Sequence, residues 1–243
     1  MRIACIIPAR YGSTRLPGKP LAMIGNKPMI QRVYEQVSKA TEIHEVIVAT
    51  DDERVYEVVI QFGGQVMMTR ADHLTGTDRL AEVASTRTDI DVIINVQGDE
   101  PLIDASVIDA LARQFKEDST LQMGTVGCPL LESEYNEPSA VKVIVNRLGN
   151  AMYFSRSLIP HPRHAFVVPP LKHVGMYGYN RQFLLTYANM EPTPAELTES
   201  LEQLRALENG YTIRVITTDQ RFVGVDTPED LERVNEIFHQ LEA

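Results

Sequence analysis

The sequence predicts one large α/β domain built on a mainly parallel sheet with helices on both faces. Short apolar runs alternate with helical-period segments from the amino terminus onward. The runs are apolar throughout rather than alternating, which marks strands buried on both sides. With 243 residues the chain is long enough for one sizeable core, with room for a small subdomain.

Ile3 to Ile7 has the length and branching of a buried strand, and Pro8 ends it by removing an amide donor. Met29, Ile30, Val33, Val37 and Ala40 recur at helical spacing, with Asn26 and Pro28 suited to the helix start. Glu45 to Ala49 is a second strand. Thr50 and Asp51 are expected to cap a helix carrying Val55, Val58, Val59 and Phe62, closed by Gly63 and Gly64, and Gln65 to Thr69 reads as a third strand. Thr77 is the expected cap of a helix bearing Leu80, Val83 and Ala84. Val92 to Val96 is the next strand, and Asp104 the expected cap of the helix with Ile108, Leu111 and Phe115.

From Gln122 the pattern loosens. Ala140 to Val145 and Ala151 to Phe154 flank Asn146 to Asn150 as a hairpin, and the proline-rich stretch Ser157 to Pro170 reads as a long loop, either a lid or part of a subunit contact. Residues 130–180 thus form a hairpin and loop subdomain within a single domain spanning 1–243. Lys172 to Tyr179 is a strand with His173 and Tyr177 on one face, where they can receive a sugar acid or serve as ordinary polar strand positions. Helices are expected at Arg181 to Met190 and, as one unit, at Glu196 to Glu208. In the latter, Glu202 and Arg205 lie off the leucine stripe and are expected to face solvent or ligand. Thr212 to Ile216 is a late strand, and Thr227 with Asp230 forms a capping box for the last helix.

A net charge of −10 and a pI near 5.1 disfavour nucleic acid or an anionic membrane as partner. No apolar run of about 18 residues and no basic-then-apolar amino terminus is present, so a cytoplasmic protein without membrane insertion is expected. Cys5 and Cys128 lack metal-ligand or redox spacing and read as core thiols.

Against this acidic background one basic loop stands out. Arg10, Arg15 and Lys19 are interleaved with Gly12, Ser13, Thr14 and Gly18 directly after the first strand, where ligands of parallel sheets collect. Cations, hydroxyls and amides in one loop suit a triphosphate, and neither the Walker spacing nor G-x-G-x-x-G is present. The loop from Arg70 to Arg79 is a candidate for the base and ribose. Asp99, just past the fourth strand, faces the ligand crevice because an unpaired buried charge is strongly penalised. Opposite a triphosphate it would repel its ligand unless a cation stood between them, which implies Mg²⁺. Asp226, before the final capping box, can supply a second carboxylate.

These residues closely resemble the CMP-Kdo synthetases, the 3-deoxy-manno-octulosonate (Kdo) cytidylyltransferases of bacterial lipopolysaccharide synthesis. The segments that carry the resemblance are IIPARYGSTRLPGKPL from Ile6, VATDDERV from Val48, TRADHLTGTDRLAEV from Thr69 and NVQGDEPLI from Asn95. With them go YFSR from Tyr153, KHVGMYGY from Lys172, LEQLRAL from Leu201 and GVDTPEDLE from Gly224. They span nearly the entire chain in one order. The resemblance implies a Rossmann-like nucleotidyltransferase fold with a small β-rich dimerisation subdomain, a homodimer, and Mg²⁺-dependent conversion of CTP and Kdo to CMP-Kdo and diphosphate.

By the same resemblance Arg10, Ser13, Arg15 and Lys19 would bind the triphosphate, with Arg10 and Lys19 stabilising the leaving diphosphate, and Asp99 and Asp226 would hold the metal. Arg70, Gly76 and Thr77 would lie toward the nucleotide, and Gln97, Arg156, His173, Tyr177, Glu202 and Gln203 around the sugar acid. Other acceptors fit the same chemistry: the 8-amino analogue of Kdo, another acidic sugar or a phosphorylated alcohol. A non-catalytic nucleotide-sugar binding protein is the remaining alternative.

Overall fold

The computed structural model describes residues 1–12 and 16–242. Its strands are β1 (Ile3–Pro8), β2 (Met23–Ile24), β3 (Lys27–Pro28), β4 (Glu45–Thr50), β5 (Gln65–Met68), β6 (Val92–Asn95), β7 (Met123–Pro129), β8 (Lys142–Val145), β9 (Ala151–Ser155), β10 (Leu171–Asn180) and β11 (Ile213–Thr217). The helices are α1 (Met29–Val37), α2 (Glu53–Gln61), α3 (Gly76–Thr86), α4 (Ala105–Glu117), α5 (Arg181–Tyr187), α6 (Pro194–Glu199), α7 (Gln203–Glu208) and α8 (Pro228–Glu242).

The main sheet runs β11-β7-β10-β6-β1-β4-β5. The β6, β1, β4 and β5 strands are mutually parallel, as are β11 and β7, while β10 enters antiparallel between β7 and β6. This is the Rossmann-like nucleotidyltransferase arrangement, with the β8–β9 hairpin added to the edge of β10 as a small β-rich subdomain. The hairpin turn is held by Asn146, whose side-chain oxygen accepts from the amides of Leu148 and Asn150 at 2.9 and 3.0 Å.

Burial on both faces explains the unbroken apolar strands. In β1, Ile3, Cys5 and Ile7 enter the core under α1, α2 and α4, while Ala4 and Ile6 enter the opposite one with α3, α5 and α7. Cys5 is fully buried, and removal from water pushes its thiol pKa well up, so both cysteines are free core thiols. A third, smaller cluster joins Ile24 and Met29 to Val225, Val234 and Phe238. It brings the C-terminal helix back onto the amino-terminal hairpin and so sets where residue 226 lies.

Several expectations need correction. Asp52 caps α2, its Oδ1 accepting from the Arg54 amide at 3.0 Å, where Thr50 and Asp51 were expected. Thr75 caps α3 in a reciprocal box with Asp78, which leaves Thr77 inside the first turn. The predicted helix from Glu196 to Glu208 is two helices, broken where Ser200 adopts a left-handed φ of 51°. Arg205 does not face solvent or ligand: it is buried and paired with Glu196, with a 2.8 Å bond from Nε. Strand β7 has no counterpart in the sequence reading. The caps at Asp104 and at Thr227 with Asp230 form as expected.

Candidate active site

A cavity of about 560 Å³ opens beyond the carboxyl ends of β1 and β6, lined among others by Arg10, Gly12, Lys19, Gly76, Arg79, Gln97, Asp99, Glu202 and Asp226. That volume suits a nucleotide-sized ligand. The sheet's direction explains the position, because the strands stop together there and their following loops diverge.

The basic loop leaves β1 while still tied to the sheet, the Ala9 amide donating to the Ala49 carbonyl at 2.8 Å. The Arg54 guanidinium lies 3.4 Å over the Tyr11 ring and anchors the loop from the α2 side. The loop from β6 approaches β1 closely at Gly98, where a Cβ would lie 3.0 Å from the Pro8 carbonyl oxygen; only glycine fits without displacing backbone.

Three chain-distant groups meet on one wall. The Lys19 ammonium lies 2.5 Å from Asp99 Oδ2 and 2.8 Å from Asp226 Oδ1. Their meeting is built by the backbone, since the Val225 amide donates to the Asp99 carbonyl at 2.9 Å and the Val225 side chain is fully buried. Burial opposes the charge on Lys19, but attraction to Asp99 and the bonds to both carboxylates outweigh it and raise the pKa. Behind them, burial and then the charge of Asp99 push the Glu100 carboxyl up to about 8, and its Oε2 has no partner among the described residues.

The opposite side is polar, and Thr77, His173, Tyr177 and Tyr187 lie outside the lining residues. Glu202 Oε2 accepts from the Thr77 hydroxyl at 2.8 Å, and the Glu202 carbonyl accepts from the Tyr187 phenol at 2.6 Å. Gln97 Nε2 reaches the Gly175 carbonyl at 3.5 Å. In β10 the register against β7 slips by two residues between Val174 and Tyr177. An even slip preserves the side of the sheet, so His173 and Tyr177 still share a face, with ring centroids 5.3 Å apart. His173 Nε2 lies 3.0 Å from the Thr125 hydroxyl, and burial pushes its imidazole down to about 3.

Not every candidate gathers here. Arg70 lies off the cavity wall with its side chain paired to Asp72 at 2.5 Å. Arg156 points its guanidinium at the carbonyls of Glu199, Pro138 and Ser200 at 2.6, 2.9 and 3.2 Å, and does not line the cavity. Gln203 is buried beside Glu202, its Nε2 without a partner among the described residues. Ser13 and Arg15 lie outside the described residues. His73, within the loop from Arg70 to Arg79, lines the cavity and bonds to Glu82. A single histidine without ligand spacing carried no signal for that position.

Comparison with known proteins agrees with this geometry. The cytidylyltransferase family pattern matches residues 4–215. The 3-deoxy-manno-octulosonate cytidylyltransferase of Syntrophotalea carbinolica is 56% identical over 244 residues, covering 96% of this chain and 97% of the relative. The Geobacter metallireducens enzyme of the same name is 54% identical, covering 97% of both. A solved structure of CMP:2-keto-3-deoxy-manno-octonic acid synthetase complexed with CTP superposes with a TM-score of 0.96 at 46% identity, covering 99% of this chain and 100% of that one. Pattern, relatives and fold agree over nearly the whole length, and this chain belongs to the 3-deoxy-manno-octulosonate cytidylyltransferase family of enzymes.

Proposed function

We propose that the protein joins CTP and Kdo to give CMP-Kdo and diphosphate, activating the sugar for lipopolysaccharide synthesis. The observation that carries this reading is the meeting of Lys19, Asp99 and Asp226 on the wall of a cavity that Gln97 and Glu202 also line. Diphosphate release from CTP and Mg²⁺ with a panel of acceptors tests it: Kdo is expected to support turnover, and a preference for the 8-amino analogue or another acid would reassign the substrate. Tight CTP binding with no turnover of any acceptor would refute the enzyme assignment.

The donor set fits magnesium. Asp99 and Asp226 reach one and the same ammonium, so one cation can be held by both. Magnesium commonly takes one or two carboxylates and completes its shell from phosphates and water, which accords with no group of three or more His, Cys, Asp or Glu converging on an ion among the described residues. When held by Asp99 and Asp226, the ion would supply positive charge to the phosphates and favour ionisation of the attacking hydroxyl.

The chain's own residues do the rest by position and charge. Arg10 at the cavity mouth and Lys19 within it offset the negative charge that develops on the departing diphosphate. Ser13 and Arg15 are assigned to the same triphosphate through the family resemblance, and Gly76 lies on the nucleotide side. Gln97 and Glu202 line the cavity with polar atoms for the sugar acid, and Gln203, His173 and Tyr177 are assigned to the same acceptor through the family resemblance. The homodimer assigned by family resemblance would use the hairpin and loop region, where Val167 and Val168 stand exposed beside the Tyr135–Phe166 ring pair. No described helix is long and apolar enough to cross a membrane, and a cytoplasmic location accords with the two substrates.

A further inference from the structure

We propose that Thr77 is a positioning residue for the acceptor: its hydroxyl fixes one oxygen of the Glu202 carboxylate so that the other stays available to a hydroxyl of the incoming sugar acid. The inference rests on the reading of the protein as a sugar-acid cytidylyltransferase. It moves Thr77 from the nucleotide to the acceptor.

Four observations carry it. Thr75, not Thr77, caps α3, so the Thr77 hydroxyl is not consumed by the helix start. That hydroxyl instead reaches 125 residues along the chain to Glu202 Oε2, at 2.8 Å. Glu202 lines the cavity, yet its Oε1 is buried with no partner among the described residues. A carboxylate oxygen in that condition is costly unless something donates to it, and the cavity is where the donor can come from. The main chain of Glu202 is held as well, by the Tyr187 phenol on its carbonyl at 2.6 Å.

The direction of the proton follows from the partners. A carboxylate oxygen of Glu202 accepts, so Thr77 must donate to it.

The chemistry of the occupant is bounded too. A carboxylate oxygen repels the triphosphate and the acid group of the sugar, and attracts a hydroxyl. Gln203, next in the chain, has a buried Nε2 with no partner among the described residues, a donor suited to an acid oxygen. A buried acceptor and a buried donor on successive residues, both without a partner among the described residues, match the hydroxyl and carboxylate groups of one acceptor molecule.

Steady-state kinetics with Kdo and CTP varied separately test the proposal. Wild-type turnover of Kdo, measured first, tests the underlying functional reading by itself; if another acid is the substrate, the same measurements are made on that acid. Thr77→Val is expected to lower kcat/KM for the acceptor by about 10- to 100-fold, the loss of one hydrogen bond to a charged group, with KM for CTP changed less than about twofold. Thr77→Ser, which keeps the hydroxyl, is expected to recover most of the loss. Calorimetric CTP binding should match wild type in both variants. In a Glu202→Gln background, Thr77→Ala should add less than about threefold to the existing defect. Equal losses for acceptor and CTP would return Thr77 to the nucleotide. A serine variant as poor as valine, or full additivity with Glu202→Gln, would overturn the link from Thr77 to Glu202; if valine prevents folding, the Ser variant and the alanine cycle decide alone.

Discussion

The ammonium of Lys19 lies 2.5 Å from Asp99, a residue 80 positions later in the chain. A lysine between two carboxylates occupies the place in the charge pattern that a divalent cation would take. Mn²⁺, used as a spectroscopic stand-in for magnesium, is therefore expected to bind the nucleotide-free protein weakly, in competition with Lys19. Lys19→Met should bind Mn²⁺ without nucleotide at least about tenfold more tightly, a change equivalent to about 1.4 kcal/mol, while losing turnover. Equal Mn²⁺ affinity in the two proteins, read by electron paramagnetic resonance, would contradict the competition.

Removing one carboxylate separates chemistry from binding. Asp99→Asn and Asp226→Asn should each lower turnover by about 10²- to 10³-fold, the scale of one preorganised electrostatic contact, while CTP affinity falls less than about tenfold. A variant retaining more than about a tenth of wild-type turnover would remove that carboxylate from the metal assignment.

His173 makes stability depend on pH. Its imidazole is depressed to about 3 in the folded protein by burial, against an unfolded value of 6.5. Between those values the unfolded chain binds the extra proton, so stability is full above pH 6.5 and is lost as pH falls toward 3. His173→Gln should flatten this part of the wild-type profile, which thermal unfolding at pH 7 and pH 4.5 would show as a smaller change in melting temperature. An unchanged difference would mean that His173 titrates normally.

The Glu196–Arg205 pair joins α6 to α7 with both side chains less than a tenth exposed. Arg205→Met leaves Glu196 without its partner cation and is expected to cost about 3–5 kcal/mol, read by urea unfolding. Since α7 carries Gln203 and follows Glu202, the same variant should weaken acceptor binding more than CTP binding.

How much was legible follows from range. The buried strands at Ile3 and Glu45, the cap at Asp104 and the box at Thr227 are local, and their residue types alone specify them. The β7 strand escaped because Gly124, Thr125 and Gly127 dilute its apolar signal. Gly124 is there for a tertiary reason: a Cβ would stand 3.0 Å from Leu111 Cδ1. The break at Ser200 was hidden by leucines at 197, 201, 204 and 207, which keep helical spacing across it although Leu197 is exposed. In the site, Asp99 and Asp226 were readable as a pair of acids meeting opposite the Lys19 loop, and they do meet there. The direct ion pairs of Lys19 with both, and the link from Thr77 to Glu202, depend on how the sheet closes.

The hydrogen bond from Val225 to Asp99 ties the birth of activity to the emergence of residues 225 and 226. Lys19 leaves the ribosome early, but its second acidic neighbour is 207 residues behind it. A nascent chain stopped short of that point can assemble most of the sheet and still hold no complete reaction centre. Competence therefore arrives in one late step, when the closing helix docks on the first hairpin.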